Sequence, residues 1–153
     1  MGNRIDKLFQ KWHKLGRAVL LAEVDPNTPL PIPQALIAES TAYCRESGRL
    51  TWVVLDWLMP HIDDIDEQAL IQETERHGDL SVLGLLADAA YQREPHVKFE
   101  RIMRACHPHD EIEPFFFRVA RSPLASQYAR ENALDVFKRW NYLSNELRYL
   151  QDG

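Results

Sequence analysis

Glycine is scarce in this chain, with six in 153 residues. Neither GxGxxG nor GxxxxGK[ST] occurs, which removes the usual nucleotide loops. HExxH and GxSxG are also absent, so the sequence carries no ready-made zincin or hydrolase motif and implies no cofactor. Cysteine is limited to Cys44 and Cys106, far apart and outside any CxxC. That rules out a disulfide framework and fits a reduced, cytoplasmic setting. No apolar run approaches the ~18 residues of a membrane span. The opening Met-Gly-Asn-Arg-Ile-Asp-Lys has no signal-peptide apolar core. Cationic excess is missing too: 18 Lys and Arg face 23 Asp and Glu, a net charge of −5. Whole-surface nucleic-acid binding is therefore not expected.

What is present fits one soluble domain, with 45% apolar and 27% charged residues. A chain of this length buries roughly two-thirds of its unfolded surface. Its organising stretch is Thr51–Met59, Thr-Trp-Val-Val-Leu-Asp-Trp-Leu-Met. On a helix these apolar residues point nearly everywhere, the mark of a buried helix. Propensity alone would also allow a buried strand. A near-copy decides for helix: Gly48-Arg49-Leu50-Thr51 echoes Gly78-Asp79-Leu80-Ser81, and the copy runs on as Leu86-Ala87-Asp88-Ala89-Ala90, good helix composition. Upstream, Gln34-Ala35-Leu36-Ile37 echoes Gln68-Ala69-Leu70-Ile71. The pattern predicts a duplicated helix–Gly–helix unit, with Leu50 and Leu80 in equivalent places.

In chain order, residues 3–22 read as an amphipathic helix whose apolar face holds Leu8, Phe9 and Trp12. Arg4, Lys7, Lys11 and Lys14 line another face. That row suits an anionic surface or phosphate contact, or a plain solvated face. Pro26, Pro29, Pro31 and Pro33 make 24–33 an extended linker, with Pro33 in the first turn of the next helix. Residues 33–47 form that helix, Gly48 its C′ position, and a helix over 50–59 stops at Pro60. Asp56 is the only charge of that second helix and, if buried, needs a partner. Asp64 with Glu67 reads as a capping box. Gly78 ends the next helix, Leu80–Tyr91 follows, and Pro95 opens another through Ala105. Residues 112–121, with Phe115, Phe116 and Phe117, read as its partner. Ser122-Pro123 starts a closing helix 123–150 with a heptad-like seam that includes Val136, Trp140 and Leu143. That seam packs in cis or makes a homodimer through the C-terminal helix. Trp12, Trp52, Trp57 and Trp140 sit on apolar faces and read as core.

Two clusters carry chemical interest. Cys106-His107-Pro108-His109-Asp110 is the dense group of metal-competent residues, with Cys106, His107 and His109 as candidate ligands. A zinc site needs four ligands, usually from two segments, and the second is not evident. His109-Asp110 is also the dipeptide of the HD phosphohydrolases, which would cast His77 and Asp135 as further ligands and His109 and Asp110 as catalytic. It sits in a polar turn, however, where Asp110 also serves to start a helix. The other cluster is acidic: Asp63 to Asp79 holds seven acids against Arg76 alone. It predicts a partner-binding face at Asp63, Asp64, Asp66, Glu67 and Glu73, or else a solvated surface matched to the helix dipole.

These echoes and the hairpin length over 33–121 resemble HEAT-like repeat proteins. The resemblance implies an all-α fold of stacked helical hairpins, a short α-solenoid with a long C-terminal helix, and one domain over 1–153. It implies a non-enzymatic scaffold binding a basic protein or peptide. The alternative is metal-dependent, phosphohydrolase-like activity centred on His109-Asp110.

Overall fold

The computed structural model describes residues 4–16, 31–116 and 135–144, and these are mostly helical. Helix α1 is Arg4–Lys14. It ends in a turn at Gly16, whose φ of 90° lies in the left-handed region open to glycine. The expected continuation to residue 22 is thus broken here, and 17–22 lie outside the described residues. Leu8, Phe9 and Trp12 are buried. The Trp12 indole N–H donates to Ser40 Oγ at 3.0 Å. Lys11 and Arg4 of the basic row both reach Glu39, at 3.0 and 3.8 Å.

Helix α2, Pro33–Thr41, starts on its proline as expected. It does not run to residue 47. Thr41 Oγ1 donates to the Ala38 carbonyl at 2.6 Å, and the chain turns at Ala42–Tyr43 into a 3₁₀ turn, Cys44–Glu46. Hydroxyl competition for a helix carbonyl favours such an exit. Ser47 then caps α3, Gly48–His61, by accepting from Leu50 N at 3.1 Å. Gly48 therefore begins a helix, where a C′ glycine was expected. Pro60 lies inside the last turn of α3, a correction to the expected stop. The helix is buried nearly all round, and Asp56 is only half-buried.

After a 3₁₀ turn, Ile62–Asp64, Asp66 caps α4, Glu67–His77, accepting from Gln68 N and Ala69 N. The cap falls on Asp66, two residues beyond the expected Asp64, because Asp64 closes the 3₁₀ turn. Gly78 ends α4 at φ −129°, extended backbone that any residue adopts. Its requirement is space: a Cβ there would collide with Ala38 O and Thr41 Oγ1 of α2. Helix α5 is Leu80–Arg93, capped by Asp79, and every residue from 81 to 90 is buried. Helix α6, Val97–Ala105, is capped by His96 and not opened by Pro95. Matched glycines thus play different parts, and Leu50 is the third residue of its helix while Leu80 is the first. Counted from their helix starts, the two leucines thus differ by two positions.

Beyond α6 the reading changes. Residues 113–116 are not helix. Glu113–Pro114 form strand β1, followed by bends at Phe115 and Phe116; the rest of the expected helix, 117–121, lies outside the described residues. The closing helix is also interrupted. Helix α7 is Asp135–Arg139, Asn141 turns the chain with φ 63°, and Tyr142–Leu143 form β2. The expected uninterrupted seam through Val136, Trp140 and Leu143 therefore does not exist; 123–134 and 145–150 lie outside the described residues. β1 and β2 pair in parallel, Glu113 beside Tyr142 and Pro114 beside Leu143. Phe115, Phe137, Trp140 and Tyr142 join the core, where backbone pairing lets aromatic residues from two distant segments meet edge to face. Among the described residues no helix is long and apolar enough to cross a membrane.

Candidate functional site

Where α4 ends and α5 begins, the chain leaves a polar cleft of about 290 Å³, closed on its other side by the loop after α6. Its lining includes Glu75, Asp79, Ser81, His107, His109 and Asp110. This volume sits at the lower end of the ~300–1,000 Å³ usual for ligand sites, enough for one side chain or a small polar group.

The floor is a fixed hydrogen-bond chain. Asp79 Oδ1 accepts from Ser81 N at 3.0 Å and from Val82 N at 3.4 Å, the cap of α5. It also accepts from Ser81 Oγ at 2.6 Å. That uses the single hydroxyl hydrogen of Ser81, so the 2.6 Å contact between Ser81 Oγ and Tyr142 OH is donated by the tyrosine. Burial pushes the Tyr142 phenol above its ordinary range, against the pull of the Ser81 bond. Ser81 has no histidine at its hydroxyl and is fully engaged, so it is not an activated nucleophile.

His109 forms part of the wall. Its ring stacks on Tyr142 with centroids 5.0 Å apart. Its Nε2 lies 2.8 Å from Glu113 Oε1, which only accepts, so Nε2 carries the proton. The same oxygen receives Arg45 Nη2 at 2.7 Å. Arg45 is buried; its Nε donates to Phe115 O and its Nη2 to Pro114 O. The guanidinium lies over the Tyr142 ring, 4.8 Å from its centroid. Arg45, by hydrogen bond and charge, with His109 adding, holds the Glu113 carboxyl below its usual range. The backbone completes the lock: His109 N donates to Trp140 O, and Asn141 Nδ2 donates to His109 O.

The sequence candidates are therefore distributed unevenly. His107, His109 and Asp110 do share the cleft. Cys106 packs inward, its Cβ against the spot a side chain at Gly84 would fill. Burial, and secondarily Asp79, pushes its thiol up to about 12, far from the thiolate a metal prefers. Among the described residues, no three His, Cys, Asp or Glu converge in a metal-holding group.

The acidic segment splits in two. Its first half is answered within the chain by α6. Asp63 Oδ1 lies 2.8 Å from His96 Nε2. Glu67 meets Arg101 at 3.1 Å and Lys98 at 3.9 Å, and Lys98 also caps the carbonyls of Asp63 and Ile65. Asp66 is the cap of α4. By contrast, Asp64, Glu73, Glu75 and, across the cleft, Asp110 make no ion pair among the described residues; Asp64, Glu75 and Asp110 are exposed.

Sequence reasoning missed two buried charges, Arg45 at the cleft and Asp88 on α5. Asp88, 1% exposed, accepts from Arg139 Nε at 2.8 Å, Arg139 Nη2 at 2.9 Å and Trp140 Nε1 at 3.0 Å. Burial raises its carboxyl, but the Arg139 and Trp140 bonds outweigh burial and hold it below its usual range. The signal was present: Asp88 is the lone charge between Leu80 and Tyr91, as Asp56 is in α3, and the same rule applies to both.

No protein-family model, curated protein or solved structure matches this chain. The site's own chemistry carries the functional reading.

Proposed function

We propose that this protein is a non-enzymatic interaction module, built of stacked HEAT-like helical hairpins, that binds a basic protein or peptide on its acidic face. The acids of this proposal are Asp64 in the turn before α4, Glu73 and Glu75 on α4, and Asp79 and Asp110, which line the cleft with Glu75. The observation that carries the reading is the division of the acids. Asp63, Asp66 and Glu67 serve the fold, while Asp64, Glu73, Glu75 and Asp110 have no ionic partner among the described residues. Unmatched carboxylates around a concavity create a negative potential that steers a cationic partner. Arg76 and His77, on the same helix, lower that potential without cancelling it. The partner-binding set anticipated from sequence thus narrows from Asp63, Asp64, Asp66, Glu67 and Glu73 to its unengaged members, joined by Glu75 and Asp110.

The test is titration of the full chain with a panel of lysine- and arginine-rich peptides and matched acidic ones. Saturable binding confined to basic peptides, and lost by ~0.5 M salt where charges are screened within a few ångströms, supports the reading. Equal binding of both sets, or none, overturns it.

A further inference from the structure

Exposed carboxylates govern how fast a cationic partner arrives more than how firmly it is held. Firm binding needs an apolar side chain buried in a pocket, with polar contacts around it. The acidic cleft supplies little of that kind. Its apolar lining is limited to Leu80 and Pro108.

A second hollow lies next to it along the chain. It measures about 270 Å³ and is lined by Ile112, Lys138, Asn141, Tyr142 and Leu143. Much of this lining is fixed before any partner arrives. Tyr142 and Leu143 are buried, and Leu143 O accepts from Phe115 N. Asn141 is turned at φ 63° and donates through Nδ2 to His109 O. Ile112, in contrast, is 63% exposed, apolar surface that a partner would cover.

The two hollows flank one loop. His109 lines the cleft and stacks on Tyr142, which lines the second hollow. Beyond His109, Asp110, Glu111 and Ile112 are exposed in succession. Asp110 and Ile112 are two residues apart, so their Cα atoms lie within about 7 Å. An extended peptide sets side chains i and i+2 on one face at about that same spacing.

Charge sorts the two positions. Lys138 lines the second hollow and makes no ion pair among the described residues, so it repels a second cation there. Glu113, beside Ile112 in the sequence, is already held by Arg45 and His109. The cleft thus suits a cation and the second hollow a neutral apolar group.

We infer that the basic partner carries an apolar side chain about two residues from its cation, and that the hollow at Ile112 buries this side chain while the cleft holds the cation. The inference rests on the reading of the acidic cleft given above and adds the anchor that reading lacks.

The test uses the full chain and two capped peptides. One consists of lysines around a single central Phe; the other has Ser in place of that Phe. The Phe peptide is expected to bind at least about tenfold tighter, as a buried anchor does. The gain should lie in slower dissociation, with both peptides associating at the same salt-dependent rate. Ile112→Ser, a change at an exposed position, should abolish most of the gain and leave the Ser peptide unaffected. A Phe peptide no tighter than the Ser peptide, or a gain that survives Ile112→Ser, overturns the inference; salt-dependent binding of both peptides would then leave the acidic cleft standing without it. Binding of neither peptide overturns both.

Discussion

The indole N–H of Trp140 donates to Asp88 Oδ2 at 3.0 Å across 52 residues of sequence. On the same carboxylate, Arg139 supplies the neutralising charge. Asp88 is thus the point where the last described segment is fastened to the most buried helix.

Removing the cation should hurt more than softening the anion. Arg139→Ala leaves a buried carboxylate without its charge partner, a situation that costs roughly 3–5 kcal/mol. Asp88→Asn keeps an acceptor for Trp140 and should cost clearly less. Urea unfolding of the two variants gives the order; the reverse order would mean that Asp88 reaches water.

The pH dependence has a definite sign. Asp88 and Glu113 both have folded carboxyls held below their ordinary values. Their contribution is therefore fully present above the unfolded carboxyl range and is lost as pH falls through the folded values. Thermal midpoints should drop on the acid side, below the usual carboxylate range near pH ~4. In Asp88→Asn that acid slope should be shallower than in the wild type. An unchanged slope would remove Asp88 from the account.

Gly84 should not tolerate a side chain. A Cβ would collide with the Trp140 ring and press on Cys106, and such overpacking costs about 1–3 kcal/mol. Gly84→Ala should lower the thermal midpoint, and Trp140→Phe in the same chain should recover part of the loss. A neutral Gly84→Ala would show that the indole does not lie on α5.

Trp57 is buried between Trp12, centroid 5.7 Å away, and His61, stacked at 4.1 Å. Trp57→Ala should cost about 3–5 kcal/mol. A loss under ~1 kcal/mol would place Trp57 at the surface, against the stability of a typical domain at ~5–15 kcal/mol.

The helices were legible because apolar periodicity and caps are local signals. The burial of Leu8, Trp12, Val54 and Leu58 followed from their faces. Boundaries moved where side chains compete for backbone groups, as Thr41 does at Ala38 and Ser47 at Leu50. Glu113–Phe116 and Trp140–Leu143 were misread as helix because their conformation rests on each other: Phe115 N bonds Leu143 O, and Glu113 N bonds Asn141 O. Aromatic residues spaced like a heptad carry no mark of such a long-range pairing. At the cleft, His107, His109 and Asp110 were visible as a cluster, but the lock of His109 onto Glu113 and Arg45 was not. Likewise the acidic run was plain in the sequence, while its neutralisation by Lys98 and Arg101 needed the packing of α6 beside α4.

The acidic docking face is tested most directly by moving the same charge change around the surface. One variant carries Asn or Gln at Asp64, Glu73, Glu75 and Asp110; a second carries them at Asp6, Glu46, Glu94 and Asp135. Both change net charge equally, so only location differs. The measured quantity is the association rate of the tightest basic peptide from the panel, in dilute salt and at ~0.15 M, where the Debye length is about 8 Å. The docking face requires the first variant to associate at least severalfold more slowly than the second, with the gap narrowing as salt rises. Equal rates for the two variants at every salt concentration would mean that these carboxylates are a solvated surface and that binding, if any, lies elsewhere.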